Sequence, residues 1–360
     1  MTPKERILAT LARQPVDRLP VDLWHTPEIG VALQQRLGVK DDLAAYRALG
    51  LDKIVWVFLD YLPPDGGHVT TLVGQTDDPT ANRTTWGAPL RDVQAGAAHY
   101  AEVVSAPLAG YDTPQSLDDY PWWPQVERFD YDRAVQAAAA AAREFAVIGP
   151  WVSFFEIYCQ MRGLEQAMID LVENEELVEA ALDRIESIQT EMMRRYFPRV
   201  GRNLDLVFIS DDIAGQQSLL LSPAMWQRHL QPRLKRWCDL IHAHGLRTFY
   251  HTDGAARPLI GQILDCGVDV LNPIQHACPG MDLAELKREF GHRVIFHGGV
   301  DNQTVLPRGT PEQVRAEVRD CHATLGAGGE GYICCSCHNV QAGTPIDNIL
   351  AMIDEARRLR

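Results

Sequence analysis

The stretch Arg247-Thr248-Phe249-Tyr250-His251-Thr252-Asp253-Gly254-Ala255-Ala256-Arg257-Pro258-Leu259-Ile260 sets the pattern for the whole chain. Arg247 to His251 is a short β-branched and aromatic run that reads as a buried strand. After a turn, Arg257 to Cys266 reads as a helix closed by Gly267. The unit then repeats. Val268 to Pro273 is a strand and Asp282 to Phe290 a helix. Arg293 to His297 is a strand and Pro311 to Leu325 a helix. Tyr332 to Cys335 and Pro345 to Leu359 complete the series.

The same alternation runs back toward the N-terminus. Pro223 to His244 reads as one long helix closed by Gly245, preceded by a strand from Leu204 to Ser210. Ala146 to Trp151 is a strand, followed by helices near Cys159 to Val172 and Asn174 to Tyr196. Lys53 to Leu59 and Leu19 to Trp24 are two further strands, and Thr2 caps an opening helix from Pro3 to Arg13. Short apolar strands separated by helices predict a parallel sheet buried on both faces, and eight units predict closure into a (β/α)8 barrel. An open doubly wound sheet would show a Gly-rich phosphate loop after an early strand, and none is present. The expectation is a single α/β barrel domain over residues 1–360. It carries a β-rich excursion after the second strand, at about 63–110, where Gly, Thr, Asp and Pro replace the helical pattern.

Composition narrows the function. Lys and Arg number 34 against 48 Asp and Glu, a formal net charge of −14. That field repels nucleic acid. No run of apolar residues is long enough for a membrane span, and Met1 to Arg6 reads as a helix start rather than a signal peptide. A cytoplasmic enzyme is expected. The 8 cysteines, three of them in Cys334-Cys335-Ser336-Cys337, then read as thiols that are buried, metal-bound or reactive rather than as disulfides.

In a barrel, chemistry gathers where strands end and βα loops begin. Those positions hold Trp24-His25, Phe155-Glu156, Asp211-Asp212, His251-Thr252-Asp253, Asn272 with Gln275, His297 with Asp301, and Cys335, Cys337 and His338. Each alone reads equally well as a helix cap or turn former. Together they predict one polar mouth. His251 and Asp253 are two apart, so an extended strand places both on one face. Such a pair either hydrogen-bonds a substrate or binds a metal, with Glu156 and Cys337 or His338 as further ligands. A His, carboxylate and thiolate set suits catalytic zinc.

His251 to Ile260, Gly267 to Gln275 and the closing stretch Gly331-Tyr332-Ile333, Cys337-His338-Asn339-Val340-Gln341, Thr344-Pro345 resemble the uroporphyrinogen decarboxylase-like superfamily. So do Pro3-Lys4-Glu5-Arg6, Arg18-Leu19-Pro20-Val21 and Asp211-Asp212-Ile213-Ala214-Gly215-Gln216. The resemblance spans nearly the whole chain. It implies a (β/α)8 barrel and one of two chemistries: cofactor-free decarboxylation of uroporphyrinogen, or zinc-dependent methyl transfer between corrinoid proteins or methylated compounds and a thiol. The decarboxylases carry Arg-Gln-Ala-Gly-Arg after the first strand, where this chain has Trp24-His25-Thr26-Pro27-Glu28. The methyltransferases carry His-X-Cys on the fifth strand, where this chain has His251-X-Asp253, and a Cys after the eighth, where Cys337 and His338 compete.

The expectation is therefore closer to the methyltransferase branch. Catalytic roles fall to Glu156, Asp211, His251 and His338. Substrate contacts fall to Trp24, His25, Asp60, Asp212, Asn272, Gln275 and His297. A zinc site falls to His251, Asp253 and Cys337. A corrinoid carried by a partner protein and a homodimer are expected as partners. A decarboxylase and a non-catalytic metabolite- or corrinoid-binding module are the alternatives.

Overall fold

The computed structural model describes residues 1–71, 80–95, 98–329 and 331–360. Seven parallel strands form one curled sheet in sequence order: Ile54–Trp56, Ala146–Val152, Leu206–Ser210, Arg247–His251, Val270–Asn272, Ile295–Val300 and Tyr332–Ser336. Most of their residues are buried, as expected of strands with helices outside and side chains filling the centre. The first expected strand, Leu19 to Trp24, does not form a ladder of its own. Val21 makes a single parallel bridge to Cys334. Even so, it closes the ring: Asp22 N–H donates to Cys334 O at 2.9 Å, and Asp52 N–H donates to Val21 O at 2.8 Å. Strand order and closure give the α/β barrel that the alternation predicts.

Two helices break where the sequence reading ran them through. Pro223 to His244 divides into Pro223–His229 and Gln231–Ala243. Pro232 has no N–H to continue the first helix and is tolerated only in the first turn of the second. The segment after the Ala146–Val152 strand divides into Phe155–Arg162 and Leu164–Glu173 at Gly163, whose φ is +83°. The next helix is longer than expected, Glu175–Val200.

The excursion holds two small sheets. Val69–Thr70 pairs with Arg83–Thr84, and Leu90–Ala95 forms an antiparallel hairpin with Ala98–Val103. Leu72 and Val73, the end of the alternating run read there, lie outside the described residues. The hairpin reaches the barrel mouth through Tyr100, whose hydroxyl donates to Gln341 Oε1 at 2.7 Å. No helix among the described residues is long and apolar enough to cross a membrane.

Candidate active site at the barrel mouth

The turn after Arg247–His251 is built by close backbone approach. Gly254 has φ +82°, and a Cβ there would lie 2.3 Å from Gly215 O. Only glycine fits. Its N–H donates to Gln275 Oε1 at 2.6 Å, and the Asp253 N–H donates to Asp212 Oδ1 at 2.8 Å. The turn thereby holds Asp253 against two imidazoles. His251 Nε2 is 3.7 Å from Asp253 Oδ1, and His338 Nε2 is 4.0 Å from Asp253 Oδ2. Ligand atoms of His251, Asp253 and His338 all lie within 4.8 Å of one another.

Asp253 Oδ1 is closed off from solvent and has no hydrogen-bond partner. A buried carboxylate oxygen without a donor is costly, and a cation satisfies it. Two imidazoles and one carboxylate also form a set that zinc accepts with a position left open. The residues present therefore fit a divalent metal. Cys337, expected as the third ligand, does not join them. Its thiol is buried against Ile274 O at 3.2 Å, and burial pushes its pKa up. Neighbouring residues leave a strand end in different directions, and here His338 is the one aimed at Asp253.

A chain of hydrogen bonds inside the barrel fixes how His251 meets that site. Asn272 lies 3.3 Å from His297 O and 2.8 Å from His297 Nδ1 through its amide nitrogen. A carbonyl oxygen only accepts, so the Asn272 NH₂ faces His297 and its oxygen faces His251. That oxygen accepts from His251 Nδ1–H at 2.6 Å, leaving Nε2 toward the mouth. His297 Nε2–H donates to Asp22 Oδ2 at 3.1 Å, and Lys53 Nζ donates to Asp22 Oδ1 at 3.0 Å. Burial, offset by Asp22, keeps the His297 pKa below its usual value and the ring neutral. Burial also opposes charging of His251, but Asp253, Asp212 and the Asn272 bond outweigh it and raise its pKa. Asp22, His297 and Cys335 form a second close group of potential ligands. With Asp22 already accepting from Lys53, the Trp24 indole and the Leu23 N–H, this group is a closed polar network.

These groups face a cavity of about 520 Å³ lined by Trp24, His25, Tyr46, Trp56, Phe58, Tyr100, Trp151, Glu156, Phe208, Asp212, His251 and His338, among others. Glu156 accepts from Ser210 Oγ at 2.7 Å. Burial, and then the nearby Asp212 carboxylate, push its pKa up to about 7. No arginine lines this cavity among the described residues.

Five further expected site residues stand elsewhere. Asp211 turns away from the mouth. Its Oδ1 accepts from Ser153 Oγ and from the N–H groups of Phe154, Phe155 and Glu156. Burial pushes Asp211 up to about 7 against those donors, and its work is to anchor the start of the Phe155–Arg162 helix. Asp60 pairs with Arg133 at 2.8 Å beside a separate surface cleft. Gln275 braces the Gly254 turn. Asn272 and His297 likewise act through His251 and do not line the cavity. Asp22, Lys53 and Tyr100 were missed. An acid inside the apolar run Pro20-Val21-Asp22-Leu23 was the available signal, because a buried carboxylate demands a partner.

The family described as Uroporphyrinogen decarboxylase (URO-D) matches residues 124–359, more than half of the chain. The chain belongs to this family. Among solved structures, this URO-D family chain is similar to a methyltransferase from Methanosarcina mazei. The TM-score is 0.70 at 20% identity, covering 99% of each chain. At that identity the likeness establishes the fold. Xylanase B from Clostridium stercorarium F9 gives a TM-score of 0.40 at 12% identity, over 68% of this chain and 88% of that one. No curated protein sequence matches the chain.

Proposed function

We propose that this URO-D family chain is a metal-dependent methyltransferase. It moves a methyl group between a small methylated compound or a corrinoid protein and a thiol or corrinoid acceptor. The observation that carries the reading is the buried Asp253 Oδ1, which accepts no hydrogen bond, between His251 and His338. The fold shared with the Methanosarcina mazei methyltransferase supports it. The cavity wall opposes the family's other chemistry, since a substrate with eight carboxylates needs cationic partners and no arginine among the described residues lines the cavity.

His251, Asp253 and His338 would hold the metal. A bound zinc ion supplies Lewis-acid chemistry, keeping a thiol anionic yet nucleophilic near neutral pH. The chain's own residues do the rest. Asn272 holds the His251 tautomer so that Nε2 faces Asp253, and His297 with Asp22 holds Asn272. Glu156, with its pKa near neutrality, takes up at its carboxylate the proton that an entering thiol gives up. Trp24, at 6.1 Å from the His251 ring, keeps one side of the imidazole dry.

Metal analysis of protein purified without chelator tests this. About one equivalent of zinc is expected in the wild type, and less than ~0.1 in Asp253→Ala and His338→Ala proteins of unchanged fold. Wild type that neither retains zinc nor takes it up on addition would overturn the metal-dependent reading. Loss of methyl transfer in folded Asp253→Ala would argue against a mere binding module.

A further inference from the structure

We propose that the small methylated compound taken by this cavity is an onium cation, a quaternary ammonium or a tertiary sulfonium. The proposal rests on the methyl-transfer reading and names its donor. Two independent features of the wall point to it.

The first is a contiguous aromatic surface. Trp24 and Trp56 meet edge to face with ring centres 5.6 Å apart, and Trp56 and Phe208 meet at 4.5 Å. Phe58 stacks on Trp56 at 5.3 Å. All four line the cavity. Ring faces attract a methylated cation without asking for directional hydrogen bonds, and such a cation has no N–H to satisfy.

The second is charge. Asp42, Glu156 and Asp212 line the same cavity, with Lys53 as the one lysine or arginine on its wall among the described residues. Lys53 is already committed, its ammonium donating to Asp22 at 3.0 Å and to Leu23 O at 2.8 Å. The wall therefore carries more carboxylates than Lys or Arg side chains, with the His251 imidazole, 4.0 Å from Asp212 Oδ1, as the nearest counter-charge. Crowding by Asp212 contributes to the raised pKa of Glu156, and the His251 imidazole offsets it only in part. An anionic donor would be repelled. A neutral aryl methyl ether would satisfy the rings but leave the carboxylates unanswered. An onium cation satisfies both, and the protein's net charge of −14 steers it inward.

The transfer balances. The carbon–nitrogen or carbon–sulfur bond of the onium breaks, and its electron pair stays on the leaving atom. A neutral amine or thioether departs. The acceptor thiolate forms the new carbon–sulfur bond and loses its charge. Its proton has gone to Glu156. From a sulfonium donor the departing thioether stays neutral and no longer matches the anionic wall; from a quaternary ammonium donor the departing amine takes up a proton.

Calorimetric titration of chelator-treated protein, at matched ionic strength, tests the assignment. The probes are choline, trimethylsulfonium, 3,3-dimethylbutan-1-ol as the neutral isostere of choline, and 4-methoxybenzoate. Saturable binding of either onium at least about tenfold tighter than the isostere supports it. Asp212→Asn should weaken onium binding about tenfold while leaving isostere binding unchanged. This substitution keeps a side-chain carbonyl to accept from the Asp253 N–H. Trp56→Leu, verified as folded, should weaken it comparably. Isostere or methoxybenzoate binding as tight as choline, or no onium binding, overturns it. Because the titration is metal-free, its failure is separable from failure of the zinc analysis. Zinc without onium binding sinks only the donor, and onium binding without zinc sinks only the metal.

Discussion

The two ends of this barrel treat a buried carboxylate in opposite ways. At the floor, Asp52 is shut away from solvent and surrounded by donors. Arg6 and Arg18 both pair with it, Arg18 Nη1 at 2.6 Å, and the Val21 N–H donates at 3.1 Å. Arg6 is itself tied to Asp17 at 2.6 Å. At the mouth, Asp253 faces two imidazoles at 3.7 and 4.0 Å, and its Oδ1 accepts no hydrogen bond. A structural charge is compensated within the chain. On the proposed function, Asp253 is left for a bound cation to compensate, and the fold tolerates its cost because the floor and core supply stability elsewhere.

The sharpest way to break that contrast is to remove each carboxylate. Asp52→Ala strands Arg6 and Arg18, so it should cost about 3–5 kcal/mol in chemical denaturation. Asp253→Ala removes an under-satisfied charge and should cost less than ~1 kcal/mol in metal-free protein. If the two variants lost equal stability, the mouth would be as structurally committed as the floor.

A smaller effect comes from pH. The Glu156 carboxyl sits at about 7 in the folded chain, above its ordinary value of 4.5, because burial and Asp212 disfavour its charged form. Between those values the folded state binds more protons than the unfolded one, so stability falls as pH rises from about 4.5 to about 7. Glu156→Gln should remove the Glu156 share of this slope and leave that of Asp211, which also sits at about 7. In metal-free protein it should raise stability at pH 8 by on the order of 2 kcal/mol relative to wild type, and change little at pH 4. Parallel stability–pH curves for the two proteins would show that Glu156 is ionised at no cost.

The fold was legible because its signal is periodic. Apolar strands of four to seven residues alternate with helices from Ala146 onward, and register is not needed to count them. The first barrel segment was legible as apolar but not as a single bridge, since its partners lie at the far end of the chain. Pro232 was in plain view as a helix breaker. The site was legible as a set of strand ends and illegible as a constellation. Asp211 and Asp212 look equivalent in sequence, yet one caps a helix and the other faces the cavity. The same holds for Cys337 and His338. Adjacent residues on extended backbone point to opposite sides, and which side faces the mouth depends on a register fixed by distant strands. Likewise, the chain from His251 through Asn272 and His297 to Asp22 joins segments that share no local signature.

The mildest test concerns the excursion, which belongs to neither end. The hairpin formed by Leu90–Ala95 and Ala98–Val103 touches the mouth through the Tyr100 hydroxyl and Gln341 Oε1, and Tyr100 also lines the cavity. Tyr100 is half-buried, so losing its hydroxyl leaves Gln341 within reach of water. Tyr100→Phe should therefore cost only about 0.5–1.5 kcal/mol, well below the cost of Asp52→Ala. Its effect on turnover should fall on KM rather than kcat, because the bond braces the entrance and touches no reacting atom. A rise in KM of a few-fold with kcat unchanged would make the hairpin part of the binding wall. A fall in kcat with KM unchanged would place Tyr100 among the groups that act in the transition state, and the functional end of the barrel would then extend beyond the eight strand ends.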